Sequence, residues 1–400
     1  MNENPTGKKR YALALILSML TVLGPLNIDM YLPAFPDIAS DLSTSQSLVQ
    51  ASLTACLLGL AIGQLVIGPI SDAKGRRMPL MISVLLFVLA SLLCAVAQNI
   101  ETLIVGRFLQ GFTAAAGLVV SRAVVRDVFD GKALTKFFAL LMVINAVAPI
   151  VAPIAGGALL AIPAFEWDGI FYTLSFLGLI VVGIVYFSLK ETLPETKRSP
   201  SSFKHIVSTF YELLKDRTFM GFALALGFAH GGSFAYVAGT PFVYQGIYDV
   251  SPQLFSVLFG INGLAMIIGS YVIGRFSGII RERTLLFTAL IIGVSATFIL
   301  FVMTAIEAPL AAIVIPIFVY MTGMGMILTS SFTLAIAKQG HRAGSASALL
   351  GVFPLLIGAV VAPLVGLNEG SAVPMGLILF STSLLALGAY VILAKTKKNQ

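Results

Sequence analysis

The sequence predicts an all-α polytopic membrane protein of twelve transmembrane helices in two pseudo-symmetric six-helix bundles. Three observations lead there. Hydrophobic residues fill 58% of the 400 positions and charged residues only 11%, whereas a soluble domain carries about one quarter charged. The apolar residues run in stretches of about 20, enough to cross hydrocarbon as a helix, with none of the alternation a strand would show. The charges are also sorted by side. With both ends assigned to the cytoplasm, every one of the 25 Lys and Arg residues except Arg107 falls in an inner loop or at its membrane edge. The outer loops carry only acids: Asp37, Asp41, Glu101, Glu166, Asp168, Asp249, Glu307 and Glu369. That split sets the orientation and requires an even number of crossings.

The first span is expected over 11–36. It follows Lys8-Lys9-Arg10, yet it is too long for a signal-peptide core, contains Asp29 and ends in Pro33 and Pro36 with no cleavage site, so it reads as a retained helix. The remaining spans of the first half are expected over 47–70, 78–97, 101–124, 133–162 and 168–189. Those of the second half fall over 217–245, 252–277, 284–305, 309–337, 342–367 and 372–394. The domains are therefore 1–190, a cytoplasmic linker 191–216, and 217–400. In the linker, Phe203, Ile206, Val207, Phe210, Leu213 and Leu214 recur at helical spacing beside Lys204, Lys215 and Arg217, the pattern of an amphipathic helix on the inner leaflet. A plain flexible tether is the alternative. Internal similarity supports duplication: Pro33 matches Pro241, Gly68 matches Gly274, and Ala152-Pro153 matches Ala362-Pro363, all at an offset of about 200 residues.

Several function classes are disfavoured. The net charge of +7 is scattered over short loops, so no nucleic-acid face is expected. Cys56 and Cys94 lie in apolar spans without metal spacing and read as small packing residues. No HExxH, GxSxG, P-loop or paired carboxylate within a span suggests an enzyme, and no cofactor or metal is expected.

Two charges call for a role. Arg107 opens Arg107-Phe108-Leu109-Gln110-Gly111 and lies about 9 Å past Glu101 at 1.5 Å per residue, where an ion must face an aqueous cavity or a partner. Asp29, at similar depth in the first span, is the expected partner, either as a proton switch or as a fixed salt bridge that orients two helices. His230, deep in the seventh span, is suited to coupling protons or binding substrate, or to donating as a neutral ring to a backbone carbonyl. Tyr31, Gln110, Asn145, Phe234, Tyr236, Asn262 and Phe318 are candidates for a mostly aromatic cavity with few hydrogen-bonding anchors.

The loop Gly68-Pro69-Ile70-Ser71-Asp72-Ala73-Lys74-Gly75-Arg76-Arg77 resembles the signature between helices 2 and 3 of the major facilitator superfamily, with Ala73 in place of the usual basic residue. Gly75 permits a tight reversal, and the arginines need an acid, for which Asp127 is the natural choice. The resemblance implies that Gly68, Asp72, Gly75, Arg76, Arg77 and Asp127 latch a cytoplasmic gate. Ala148-Pro149-Ile150-Val151-Ala152-Pro153-Ile154-Ala155-Gly156-Gly157 is similar to the superfamily's antiporter motif, with Pro153, Gly156 and Gly157 in place beside Pro149, and alanine at two usual glycine positions.

The segments "NIDMYLPAFPDIASDL", "RAVVRDVF", "GTPFVYQGIYDVSPQLFSVLFGING" and "GSASALLG" resemble the Bcr/CflA branch of drug:proton antiporters. That resemblance implies proton-driven efflux of amphiphilic drug-like molecules across the cytoplasmic membrane, with Asp29 in the transport pathway. It also implies a monomer whose partners are protons, a small molecule and the lipid bilayer. Export of an endogenous metabolite such as a nucleoside or amino acid is the alternative.

Overall fold

A computed structural model describes residues 7–129, 131–198, 203–337, 339, 342–368 and 370–394, with some helical side chains, Asn145 among them, outside that description. The first span is α1 (Gly7–Asp29) and α2 (Phe35–Asp41) joined through a 3-10 turn, Leu32–Ala34. Then come α3 (Gln46–Lys74), α4 (Arg77–Ala95), α5 (Ile100–Val128), α6 (Gly131–Leu160) and α7 (Trp167–Ser188). After α8 (Phe203–Lys215), the chain continues as α9 (Arg217–Pro241) with a π-helical turn (Phe242–Ile247), α10 (Pro252–Phe276) and α11 (Glu282–Ala305). It ends with α12 (Leu310–Ile336), α13 (Ala343–Val361) and α14 (Val373–Ala389). Among the described residues, 11 helical segments are long and apolar enough to cross a membrane, and Val147–Leu160, the apolar end of α6, is shorter.

Contacts divide the chain into two compact units, Met1–Leu42 with Ala55–Ser201, and Ser43–Thr54 with Ser202–Gln400. The cut falls inside the 191–216 connection, and the start of α3 groups with the second unit. In that connection α8 forms as a helix with Leu213 fully buried and Tyr211 and Leu214 exposed. It is tied within its unit by Arg342 to Glu212 at 3.0 Å. Asp216 then caps α9, accepting from the backbone N–H groups of Thr218 and Phe219 at 3.0 Å each. Of the sequence-selected outer acids, Glu369 lies outside the described residues.

The sequence suggests one continuous helix over 11–36; instead α1 stops at Asp29. Proline has no N–H, so Pro33 cannot donate to the carbonyl four residues back, which is that of Asp29. The matching proline, Pro241, ends α9 and opens the π turn. The other matches diverge: Pro153 is inside α6, while Pro363 starts a 3-10 turn after α13. A Cβ on Gly68 would meet Val119 at 3.3 Å, whereas Gly274 faces open space.

Glycines set the helix spacing in both units. A Cβ on Gly111 of α5 would fall 2.1 Å from the Cys56 carbonyl oxygen of α3, and one on Gly59 of α3 would fall 2.1 Å from the Phe108 carbonyl oxygen of α5. In the second unit Gly325 of α12 stands in the same relation to Met266 of α10 (2.0 Å), and Gly269 of α10 to Thr322 of α12 (1.9 Å). Without a hydrophobic force between helices in lipid, such backbone approach is what holds them. Gly111→Leu is therefore expected to cost about 3 kcal/mol and to lower the thermal unfolding midpoint in detergent by several degrees. Gly183→Ala, where nothing lies within 4 Å, leaves it unchanged.

Candidate functional site

Arg107 is fully buried in the first unit. The Asn99 side chain caps α5 by accepting from the backbone N–H of Thr102 at 2.8 Å, starting the helix two turns before Arg107. One guanidinium nitrogen, Nη1, donates to the side-chain oxygens of Asn27 and Gln110, and the other, Nη2, donates to the Asn27 backbone carbonyl at 2.7 Å. The Tyr31 ring lies 4.1 Å from the guanidinium carbon and the Phe171 ring 5.6 Å. Each amide is itself oriented by a second bond. Asn27 Nδ2 donates to Cys56 Sγ at 3.1 Å, and Gln110 Nε2 donates to Ser91 Oγ at 2.8 Å, with Cys94 Sγ 3.8 Å from Gln110 Oε1. Hydrogen bonds to a charged group are worth about 1.5–3 kcal/mol each, and a desolvated cation–π contact adds about 2 kcal/mol. The cation is thus held by neutral dipoles and ring faces.

This corrects the expected Asp29–Arg107 pair. Among the described residues there is no ion pair between them, and Asp29, 6% exposed as a residue, makes no side-chain hydrogen bond. Residues 27 and 29 differ by about 200° around a helix at 3.6 residues per turn, so when Asn27 faces Arg107, Asp29 faces away. Tyr31 and Gln110, expected at a cavity, are both fully buried in contact with Arg107. The sequence reading missed Asn27 and gave Cys56 and Cys94 packing roles only. The i, i+3 spacing of Arg107 and Gln110 was the available signal for that contact.

Asp29 ends α1, and the next residue meets the antiporter-like segment. A Cβ on Gly156 would fall 1.9 Å from the Met30 carbonyl oxygen, so this glycine is what allows α6 to press against the break after Asp29. Pro149 and Pro153 lie within α6, and Gly156 and Gly157 are buried.

In the second unit Asn262 Nδ2 donates to Tyr236 Oη at 2.8 Å and to the Leu258 carbonyl at 3.1 Å, and Tyr236 stacks on Phe259 at 5.1 Å. Among the described residues, Asn262 Oδ1 is buried with no partner. His230 stacks on Phe234, one turn on, at 5.8 Å. Among the described residues its ring makes no hydrogen bond to a backbone carbonyl; its own carbonyl accepts from Ser233 Oγ at 2.6 Å. Phe318 is partly exposed on α12, and the Asn145 side chain lies outside the described residues. Tyr320, absent from the candidates, donates to the Ala229 carbonyl at 2.7 Å and ties α12 to α9 beside His230.

The third cluster joins the α3–α4 turn to the end of α5. Arg76 Nε donates to Asp127 Oδ2 at 2.8 Å, and Nη1 donates to Asp72 and, at 3.0 Å, to Ser71 Oγ. Burial pulls the Arg76 pKa down, but its carboxylate partners outweigh that and leave it above the ordinary value. Gly75 adopts φ 93°, a conformation that suits glycine. Arg77 Nη2 donates to the Tyr186 carbonyl at 2.6 Å. Sequence reasoning missed Glu191, whose carboxylate accepts from four backbone N–H groups. Burial pushes its pKa up, but those donors outweigh it and hold the group below the usual carboxylate range.

The Arg107 site yields a test. Asn27→Ala strips the buried guanidinium of one side-chain acceptor and is expected to destabilise by about 2–3 kcal/mol. Asp29→Asn, which removes no bond made in this state, is expected to leave the unfolding midpoint within a degree or so of the parent. Thermal unfolding of the two variants in detergent checks the contrast.

The profile of the Major Facilitator Superfamily matches residues 17–363. An MFS-type transporter of Bacillus subtilis, YdgK, is 62% identical over 400 residues and covers 100% of both chains. A bicyclomycin resistance protein homolog of Haemophilus influenzae is 32% identical over 369 residues, 92% of each chain. Among solved structures, a bacterial homolog of the human lysosomal transporter Spinster, inward-facing and unoccupied, superposes with a TM-score of 0.74 at 15% identity over 98% of this chain and 96% of its own.

Proposed function

From the premise that this chain belongs to the Major Facilitator Superfamily, as a multi-pass membrane transporter, we propose that it couples inward proton movement to efflux of an amphiphilic drug-like molecule. The Haemophilus influenzae relative, a bicyclomycin resistance protein homolog, supports the cargo class. The proposed setting is the cytoplasmic membrane, with both termini in the cytoplasm, a monomer as the working unit, and the proton gradient in place of any cofactor.

One observation carries the proton assignment: Asp29 is a buried residue whose carboxyl has no partner among the described residues, at the broken end of α1. An ionised carboxylate buried alone is costly, so the position suits a group that gains and loses its proton. Arg107, already held by Asn27 and Gln110, is in this reading a fixed positive charge rather than the exchanging partner of Asp29. The Tyr236–Asn262 pair and the His230–Phe234 stack are the proposed cargo contacts, apolar faces with one free acceptor at Asn262 Oδ1. The Arg76–Asp127 cluster is proposed as the cytoplasmic latch.

Inverted vesicles with an imposed proton gradient, assayed against a panel of drugs in a strain lacking other pumps, test this directly. The parent is expected to accumulate at least one amphiphilic drug, and Asp29→Asn to reduce gradient-driven accumulation by about a hundredfold, close to 3 kcal/mol. Full proton-driven efflux by Asp29→Asn would overturn the proton assignment. Gradient-driven flux of a nucleoside or amino acid with no drug flux would overturn the cargo class.

A further inference from the structure

We infer that Glu191 is a positioning residue of the Arg76–Asp127 cluster: its carboxylate is a built-in anion that holds the α3–α4 turn so that Arg76 reaches Asp127. The transport consequence rests on the reading of that cluster as a latch; the positioning role does not.

The carboxylate closes a ring of backbone donors. Oε1 accepts from the N–H groups of Arg76 (2.9 Å), Thr192 (3.0 Å) and Leu193 (2.9 Å), and Oε2 accepts from that of Arg77 (3.1 Å). The first N–H groups of a helix have no partner within it, and the helix dipole favours negative charge there. Glu191 therefore serves the start of α4 as a bound anion would, except that the anion is covalently attached to the chain leaving α7. Gly75 belongs to the same device. A Cβ at that position would stand 2.5 Å from Glu191 Oε2 and 3.1 Å from Arg198 Nη2, so the motif glycine both makes the reversal and leaves room for the carboxylate.

The next residue extends the link. Thr192 Oγ1 donates to Asp127 Oδ2 at 3.4 Å, the same oxygen that accepts from Arg76 Nε. One short stretch, Glu191-Thr192, thus touches both sides of the Arg76–Asp127 pair. It also begins the connection that leads to α8, so the origin of that connection and the geometry of the pair are set together. Glu191 is exposed to solvent along part of its surface, which leaves its nest open to small anions once the side chain is removed.

The test is refilling the nest. Glu191→Ala is expected to lower the unfolding midpoint of the full-length protein in detergent by several degrees. Sodium formate is expected to restore most of that loss in the variant and to leave the parent unaffected, with sodium chloride at equal ionic strength as the control. In inverted vesicles the variant is expected to lose roughly tenfold in maximal proton-driven drug flux with the half-saturating concentration unchanged, again recovered by formate. Glu191→Gln, which keeps the shape and one acceptor but not the charge, falls between parent and Ala variant and decides the question if the Ala variant cannot be recovered folded. Parent-like Glu191→Gln behaviour overturns the role of charge, and an Ala variant unmoved by formate overturns the nest. If the parent shows no proton-driven flux, the transport proposal falls, while formate-dependent stability still decides Glu191.

Discussion

The first unit is organised around the burial of a single positive charge. A guanidinium with no solvent exposure costs several kcal/mol to desolvate, and this one is compensated without a carboxylate. Its acceptors come from α1 and α5, its ring faces from the turn after α1 and from α7, and the groups that orient those acceptors from α3 and α4. Five helices must therefore converge within side-chain reach of one residue. The glycines of α5 make that possible. Gly106 is in near contact with Cys94 of α4, Gly111 with Cys56 of α3, and Gly117 with Leu20 of α1, each leaving too little space for a Cβ. Remove the small residues and the helices separate; remove the acceptors and the charge has no solvation.

The same chain treats a second arginine differently, and the contrast has a physical origin. Arg76 is 6% exposed, but it sits at a turn with two carboxylates in reach, one of them, Asp72, half exposed. Where a pair is partly open to water, solvent and salt moderate both the cost of the ions and the strength of their pairing. Inside hydrocarbon a paired carboxylate would bind Arg107 much more tightly, and the pair would be hard to open. Neutral amides hold the cation in place without neutralising it, which preserves its field.

Much of this was legible in the sequence because it follows from one-dimensional rules. Apolar run length located the spans to within a few residues, and the acid needed by Arg76 was identified as Asp127 from its place at the end of α5. What was missed depends on azimuth and on backbone groups. Depth alone put Asp29 level with Arg107, but depth does not distinguish it from Asn27 two residues before, and only the 3.6-residue period separates their faces. Applied to two residues of a helix whose orientation was unknown, that period could not say which one faced inward. Glu191 was invisible for another reason: its partners are main-chain N–H groups, identical at every position, 114 and 115 residues away for Arg77 and Arg76. The break at Asp29 was readable in principle from Pro33, since a proline removes the donor to the residue four before it.

That break gives the opposite faces of α1 separate tasks. Asn27 spends its side chain and its carbonyl on Arg107, so this face of the helix is pinned. Asp29 faces elsewhere, at the point where the helical hydrogen bonding stops, and Met30 immediately after it is in backbone contact with Gly156 of α6. Within the proposed cycle, a change in the charge of Asp29 does not act on Arg107 through a shared bond, because the bonds of Nη1 and Nη2 go to Asn27 and Gln110. It reaches α6 through matter in contact, at a segment loosened by Pro149 and Pro153. A proton at Asp29 is therefore better placed to shift α6 against α1 than to break open the arginine site, and the antiporter-like residues stand where that shift would be felt first.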